Sequence, residues 1–177
     1  MLLGFFILIV EGMSHGKTQP SLLLHEDMYR ITLKSNAFTH GEPMPERFTC
    51  DGENVSPLLE IGDIPEGTKT LALVMHDPDA PVPGGWTHWI KFNIPPETKN
   101  LPEGQEPPGI SGKGGRDNFT YKGPCPPSGT HRYFFKIYAL DSELPLKEGI
   151  GKSELESAIE GHILGFGELV GLYSRKK

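Results

Sequence analysis

A chain of 177 residues is most simply one domain, long enough to bury a core of its own. With 22 Gly and 17 Pro it favours many turns between short strands over a helical bundle. A formal net charge of −6 and scattered Lys and Arg argue against nucleic acid or anionic lipid as partners, because the one basic cluster, Arg175-Lys176-Lys177, is a tail. An anion bound here must be held by local positive charge or backbone donors, against the overall field.

Met1 to Val10, MLLGFFILIV, is an apolar run ended by Glu11. It is too short for a membrane-spanning helix, which needs ~20 residues, and matches the apolar region of a signal peptide. No Lys or Arg precedes it and no clean small-x-small cleavage site follows. Three readings stay open: a weak signal, an interfacial anchor, or residues added by an upstream start codon. The last is favoured, so residues 1–27 read as a tail and 28–177 as a single domain. A cytoplasmic location follows, with export as the alternative if residues 1–10 act as a signal. Cys50 and Cys125 fit no zinc motif. Two free thiols in a reducing compartment are the favoured state, and one internal bridge the alternative.

Tyr29, Ile31 and Leu33 alternate with Arg30, Thr32 and Lys34, the period of a half-buried strand. Glu42-Pro43-Met44-Pro45 breaks it. Arg47-Phe48-Thr49 reads as a short strand before the turn chemistry of Cys50 to Asn54. Thr70 to Met75, TLALVM, is apolar almost throughout and predicts a central strand. In the next strand His88, Ile90, Phe92 and Ile94 fall on one face, with Trp89, Lys91 and Asn93 on the other. Residues 95–130 are dense in Pro and Gly and read as one long loop region.

His131 to Leu140, HRYFFKIYAL, is a strand with His131, Tyr133, Phe135 and Ile137 on one face. Ser153-Glu154-Leu155-Glu156 fits a capping box, Ser153 at the N-cap and Glu156 at N3, opening a helix that runs through Leu155, Ala158, Ile159 and His162 to end before Gly165. Glu168 to Tyr173 reads as a last strand. The class is mainly β with a few helices. There is no internal repeat.

Three polar groups sit at the ends of apolar strands. In His76-Asp77-Pro78-Asp79-Ala80-Pro81 two prolines stiffen the loop, so its carboxylates are presented rigidly. Alone, such a loop is a turn whose aspartates cap N–H groups. In Trp86-Thr87-His88-Trp89 the histidine sits on an apolar strand face, where a lone His is more often a satisfied core residue. In Gly129-Thr130-His131-Arg132-Tyr133 an imidazole and a phenol share one face, which ordinary strand packing also explains.

Together, DPDAP, WTHW and YKGPCPPSGTHRY, in that order, resemble the phosphatidylethanolamine-binding protein family, which includes the Raf kinase inhibitor proteins and plant flowering regulators. The resemblance runs from about Tyr29 to Tyr173. FTCDGENVSP, GPCPPSGTHRYFFKIYALD and EGHILGFGELVG look like its bacterial and archaeal branch. The resemblance implies a large antiparallel sheet packed on a smaller one, with peripheral helices, and an anion pocket at one end of the strands. Carried onto matching positions, it implies a ligand site of Asp77, His88, His131 and Tyr133. Asp79 and Pro81 come with the first loop, whose Ala80–Pro81 bond is cis in the family. Gly123 and Cys125 come with a loop that supplies backbone donors.

Two departures limit the transfer. The PVPGG link between DPDAP and WTHW is short where eukaryotic members carry an insertion. The C-terminal helix with its pocket-closing tyrosine has no counterpart, since Tyr173 lies in a predicted strand. Kinase-regulating and lipid-binding roles are therefore not carried over.

The expected function is recognition of a phosphate-bearing small molecule or residue by a regulator or inhibitor, with no cofactor and no metal. One or both imidazoles are expected to be protonated, so affinity for phosphate monoesters should rise as pH falls from about 8 toward 6. Two alternatives stay open. One is a protease or kinase inhibitor that docks through the 95–130 loops. The other is an enzyme using the Asp/His cluster. For a metal, His76 or Asp79 would have to complete the set. A serine hydrolase lacks its G-x-S-x-G, and Gly112-Lys113-Gly114-Gly115 is not a P-loop. No turnover is expected, and both a monomer and a homodimer stay open.

Overall fold

The computed structural model describes residues 28–176, so both the N-terminal tail reading and the apolar run lie outside the described residues. Ten strands and one α-helix follow in chain order: β1 (Tyr29–Arg30), β2 (Thr32–Lys34), β3 (Glu42–Pro43), β4 (Leu59–Gly62), β5 (Thr70–Asp77), β6 (Trp86–Ile94), β7 (Asn100–Leu101), β8 (Ile110–Ser111), β9 (His131–Leu140), α1 (Lys152–Ile159) and β10 (Ile163–Tyr173). The fold is mainly β, with a seven-stranded sheet ordered β1-β10-β9-β5-β6-β8, β3 also pairing with β10, and a three-stranded sheet ordered β2-β4-β7. The short β1 and β3 run parallel to β10; the other pairs of the large sheet are antiparallel. Among the described residues no helix is long and apolar enough to cross a membrane.

β5 is apolar from Leu71 to Met75 because both its faces are covered there. Leu71, Leu73 and Met75 join the main core with Leu33, Leu59, Ile61 and Leu101 of the small sheet. Ala72 and Val74 join a second cluster with Leu155 and Ile159 of α1. β9 keeps the expected alternation, with Tyr133, Phe135 and Ile137 in the main core and Arg132 exposed.

β6 departs from simple alternation. Its pairing with β5 slips between Met75 and His76, where Trp89 and Thr87 are the partners, so His88 is an extra residue. It slips again between Leu71 and Leu73, near Asn93, which has φ 51°. Trp89 and Ile94 therefore enter the main core, while Ile90 and Phe92 pack in the second cluster. His88 does not share the face of Ile90; its ring lies edge-on to Tyr133.

Other expectations are corrected too. Residues Glu46–Phe48 form a 3-10 turn, not a strand, closed by Phe48 N–H to the Pro45 carbonyl. The 95–130 region contains β7, β8 and a 3-10 turn at Gly115–Asp117. Helix α1 is capped by Gly151, whose carbonyl accepts from Leu155 N–H, and it starts before Ser153. Glu156 turns to Lys152, 2.8 Å away, so the capping box does not form. The helix ends before Gly161, and both His162 and Gly165 lie beyond it. The last strand begins at Ile163, five residues before Glu168.

All described peptide bonds are trans, Ala80–Pro81 included; the turn there closes by Val82 N–H to the Ala80 carbonyl. Cys50 and Cys125 are not free thiols but a disulfide with Cα atoms 5.4 Å apart, across 75 residues of sequence. The neighbouring Cys50 N–H to Pro124 carbonyl bond holds the two segments in register for it. Reduction, or Cys50→Ser with Cys125→Ser, is expected to lower the unfolding free energy by about 2–4 kcal/mol, because the closed loop is long. Urea unfolding with and without a thiol reductant checks this, and coincident curves would rule the contribution out.

Candidate anion-binding site

Antiparallel pairing places the end of β5 and the starts of β6 and β9 at one edge of the large sheet. Asp77, His88, His131 and Tyr133 come from those three ends and line one cavity of about 580 Å³. All four are buried.

Asp77 is the hub of the floor. Its Oδ2 lies 2.8 Å from His131 Nδ1, and its Oδ1 accepts the Asp79 N–H at 2.8 Å. The first contact orients the imidazole; the second is the local turn that the DPD sequence favours. Tyr133 sits between the two histidines, 5.2 Å from the His88 ring centre and 6.5 Å from that of His131. Its hydroxyl is buried and no side chain bonds to it; the Cys125 backbone is the polar group that acts on it. Burial pushes that hydroxyl well above the usual phenol range, the Asp77 charge adds to this, and the Cys125 backbone opposes it. It is a firm donor.

His88 Nδ1 donates to the Lys122 carbonyl at 2.7 Å. Its Nε2 is buried without a partner. Burial pushes this imidazole down to about 4, despite the Lys122 carbonyl and the Asp77 charge, which favour its cation. The expectation that both rings can be charged is corrected for His88: it is neutral near pH 7, with its lone pair on Nε2.

The remaining predicted residues divide. Pro81 and Cys125 are in the wall. Gly123 is there too, but its N–H is taken by Asn54 Oδ1 at 2.8 Å, so it is not a free donor. A side chain at this glycine would meet the Phe48 carbonyl at 2.3 Å, which explains the residue by packing. Asp79 stands outside the wall and is held by Arg132, with Nη2 to Oδ1 at 2.7 Å, Nε to Oδ2 at 2.9 Å and the Arg132 N–H to Oδ2 at 2.9 Å. That fork holds its carboxyl down at about 2 and clamps the first loop onto β9. Among the described residues no three His, Cys, Asp or Glu are grouped to hold a metal; His76 points to the other face of β5 from Asp77.

Other wall residues were not singled out from the sequence. Trp86 opens β6, and Arg116 lies over its ring at 5.9 Å. A side chain at Gly115 would strike the Trp86 ring at 2.2 Å, so only glycine lets this turn close over the tryptophan. Arg116 and Lys122 are exposed wall residues that form no ion pair among the described residues. They supply the local positive charge that the acidic chain requires. The GKGG run just before Arg116 was the available signal.

The cavity is a partly open site with a buried floor that holds a donor, a lone pair and a carboxylate, and with positive charge at its edge. Comparison with known proteins places the chain in a family. A sequence model of the family described as phosphatidylethanolamine-binding protein matches residues 34–174. A UPF0098 protein of Methanothermobacter thermautotrophicus is 48% identical over 151 residues, covering 82% of this chain and 99% of the relative. One from Pyrococcus horikoshii is 44% identical over 158 residues, covering 83% and 79%. A crystal structure of a putative phosphatidylethanolamine-binding protein homologue from Chlamydia trachomatis superposes with a TM-score of 0.80 at 39% identity, covering 84% of this chain and 99% of that one. E. coli YbcL, described as a member of the mammalian family, gives 0.77 at 29% identity, covering 83% and 99%. The chain belongs to the phosphatidylethanolamine-binding protein family, among relatives from archaea and bacteria.

Because His88 is neutral when folded, its contribution to stability is complete above its ordinary 6.5 and is lost as pH falls toward about 4. The expected loss is about 3 kcal/mol across that window. Urea unfolding of the wild type and His88→Gln at pH 7 and pH 4 measures it; an equal pH dependence in both proteins would exclude His88 as its source.

Proposed function

We propose that this protein binds a phosphate-bearing group in the Asp77–His88–His131–Tyr133 cavity and acts by recognition, as a regulator or inhibitor, without turning the ligand over. The observation that carries this reading is a pair of buried polar atoms in one cavity that no side chain matches, His88 Nε2 and the Tyr133 hydroxyl. Buried polar groups are nearly always paired, so an unmatched donor and acceptor side by side suit a ligand. Arg116 and Lys122 favour an anion. The sulfurs of Cys50 and Cys125 are tied together, so neither offers a free nucleophile. The bridge also favours an oxidising compartment, hence export, over the cytoplasmic alternative; immunodetection in cell fractions tests that placement.

A second reading, docking on a protease or kinase through the 95–130 loops independently of the pocket, is supported by Phe119, an aromatic side chain 41% exposed in that region. His131→Ala separates the two, since it removes the partner of Asp77 and leaves those loops in place.

Calorimetric titration with inorganic phosphate and with phosphoethanolamine is the test. Tyr133→Phe is expected to weaken binding roughly 10- to 100-fold, the value of one hydrogen bond to a charged group. His131→Ala is expected to abolish it, while His162→Ala, on the exposed pair with Asp141, leaves it unchanged. Hydrolysis of an aryl phosphate that disappears in His88→Ala would move the protein to the enzymes.

A further inference from the structure

The proton inventory of the cavity goes further than its affinity for anions. His88 is 5% exposed, and its Nδ1–H is committed to the Lys122 carbonyl. Its Nε2 therefore offers only a lone pair to whatever fills the cavity. A fully deprotonated oxygen placed there would meet lone pair against lone pair. Asp77 makes this worse, because its buried carboxylate is already taken up by His131 and the Asp79 N–H. Donation comes from the Tyr133 hydroxyl alongside. The floor thus asks for a ligand that accepts at one oxygen and donates at another.

Resting on the anion-binding reading, we propose that the cavity selects the monoprotonated form of a phosphate monoester or phosphonate, whose P–OH donates to His88 Nε2 while Tyr133 donates to a charged oxygen, and that it rejects sulfate. Sulfate has the same tetrahedral shape as the phosphate group but, like a monoester dianion, carries no proton near neutral pH. The charged and titratable groups facing His88 are Asp77 at the end of β5, His131 and Tyr133 on β9, Lys122 in the loop behind its Nδ1, and Arg116 and Asp117 in the turn at the cavity edge. His76 acts on it from the other face of β5. Arg116 and Lys122 attract both anions and do not discriminate between them. The discrimination belongs to His88.

The test varies the proton on the ligand. Calorimetric titrations with methyl phosphate, methylphosphonate and sulfate are run at constant ionic strength from pH 5.5 to 8. Phosphate monoesters lose their second proton near pH ~6, so methyl phosphate should weaken roughly 50-fold between pH 6 and pH 8. Methylphosphonate keeps its proton to higher pH, and its midpoint should move up with the ligand's own pKa. Sulfate at pH 6 should bind at least about tenfold more weakly than methyl phosphate, one hydrogen bond's worth of discrimination. In His88→Gln the amide can turn its NH2 to the ligand, and the sulfate penalty should shrink. A midpoint shared by methyl phosphate and methylphosphonate would assign the titration to a protein group and overturn the proposal, leaving the anion site standing. So would sulfate binding as tightly as methyl phosphate at pH 6. Failure of all three ligands to bind at any pH would overturn the anion site and this proposal together.

Discussion

β5 runs between β6 and β9, antiparallel to both, and stops at Asp77. Everything polar in the cavity takes its position from that arrangement. The start of β9 is carried to the end of β5, so His131 Nδ1 can reach the Asp77 carboxylate. The start of β6 is carried to the same edge, and the extra residue there turns His88 toward Tyr133. The carboxylate is then held from two sides, by His131 and by the Asp79 N–H, while Asp79 itself is clamped by Arg132. One strand end thereby fixes an imidazole, a turn and a loop.

A buried donor or acceptor left unpaired costs roughly 1–3 kcal/mol, which is why such groups are ordinarily matched. His88 and Tyr133 lie beside a tightly packed region, where Leu71, Leu73, Phe135 and Ile137 are wholly buried and neighbouring strands have little room to relax. A ligand carrying one donor and one acceptor would match them. The acidic chain and the anion-suited cavity are reconciled by locality. Most of the negative charge is on the surface, in water, whereas Arg116 and Lys122 stand at the cavity itself.

Much of this architecture was readable from residue order. The apolar run of β5 and the one-sided alternation of β9 have the periods of a doubly covered and a single-faced strand, and they fold as such. The site residues were readable only as a set. Asp77, His88, His131 and Tyr133 are each ordinary in isolation, and in the sequence only the family pattern of DPDAP, WTHW and HRY joins them. Asp79 and Gly123 were carried over with the same pattern, and here local chemistry prevailed. Arg132 captures the first, and Asn54 takes the N–H of the second. The faces of β6 do not follow simple alternation, because each of its two register slips adds one residue and one residue moves the side chains beyond it to the other face.

Residue types and their periods were enough to place the strands, to put Asp77 at the end of an apolar run, and to seat His131 beside Tyr133 on one face. Those features are local, set by two-residue periodicity and by proline within a single segment. The protonation of His88, the bridge between Cys50 and Cys125, and the positive edge formed by Arg116 and Lys122 were decided only by the folded structure. Each depends on burial or on a meeting between segments far apart in the chain. The depth to which His88 sinks beneath the Lys122 carbonyl, and so which of its nitrogens keeps a lone pair, is written in no single stretch of sequence.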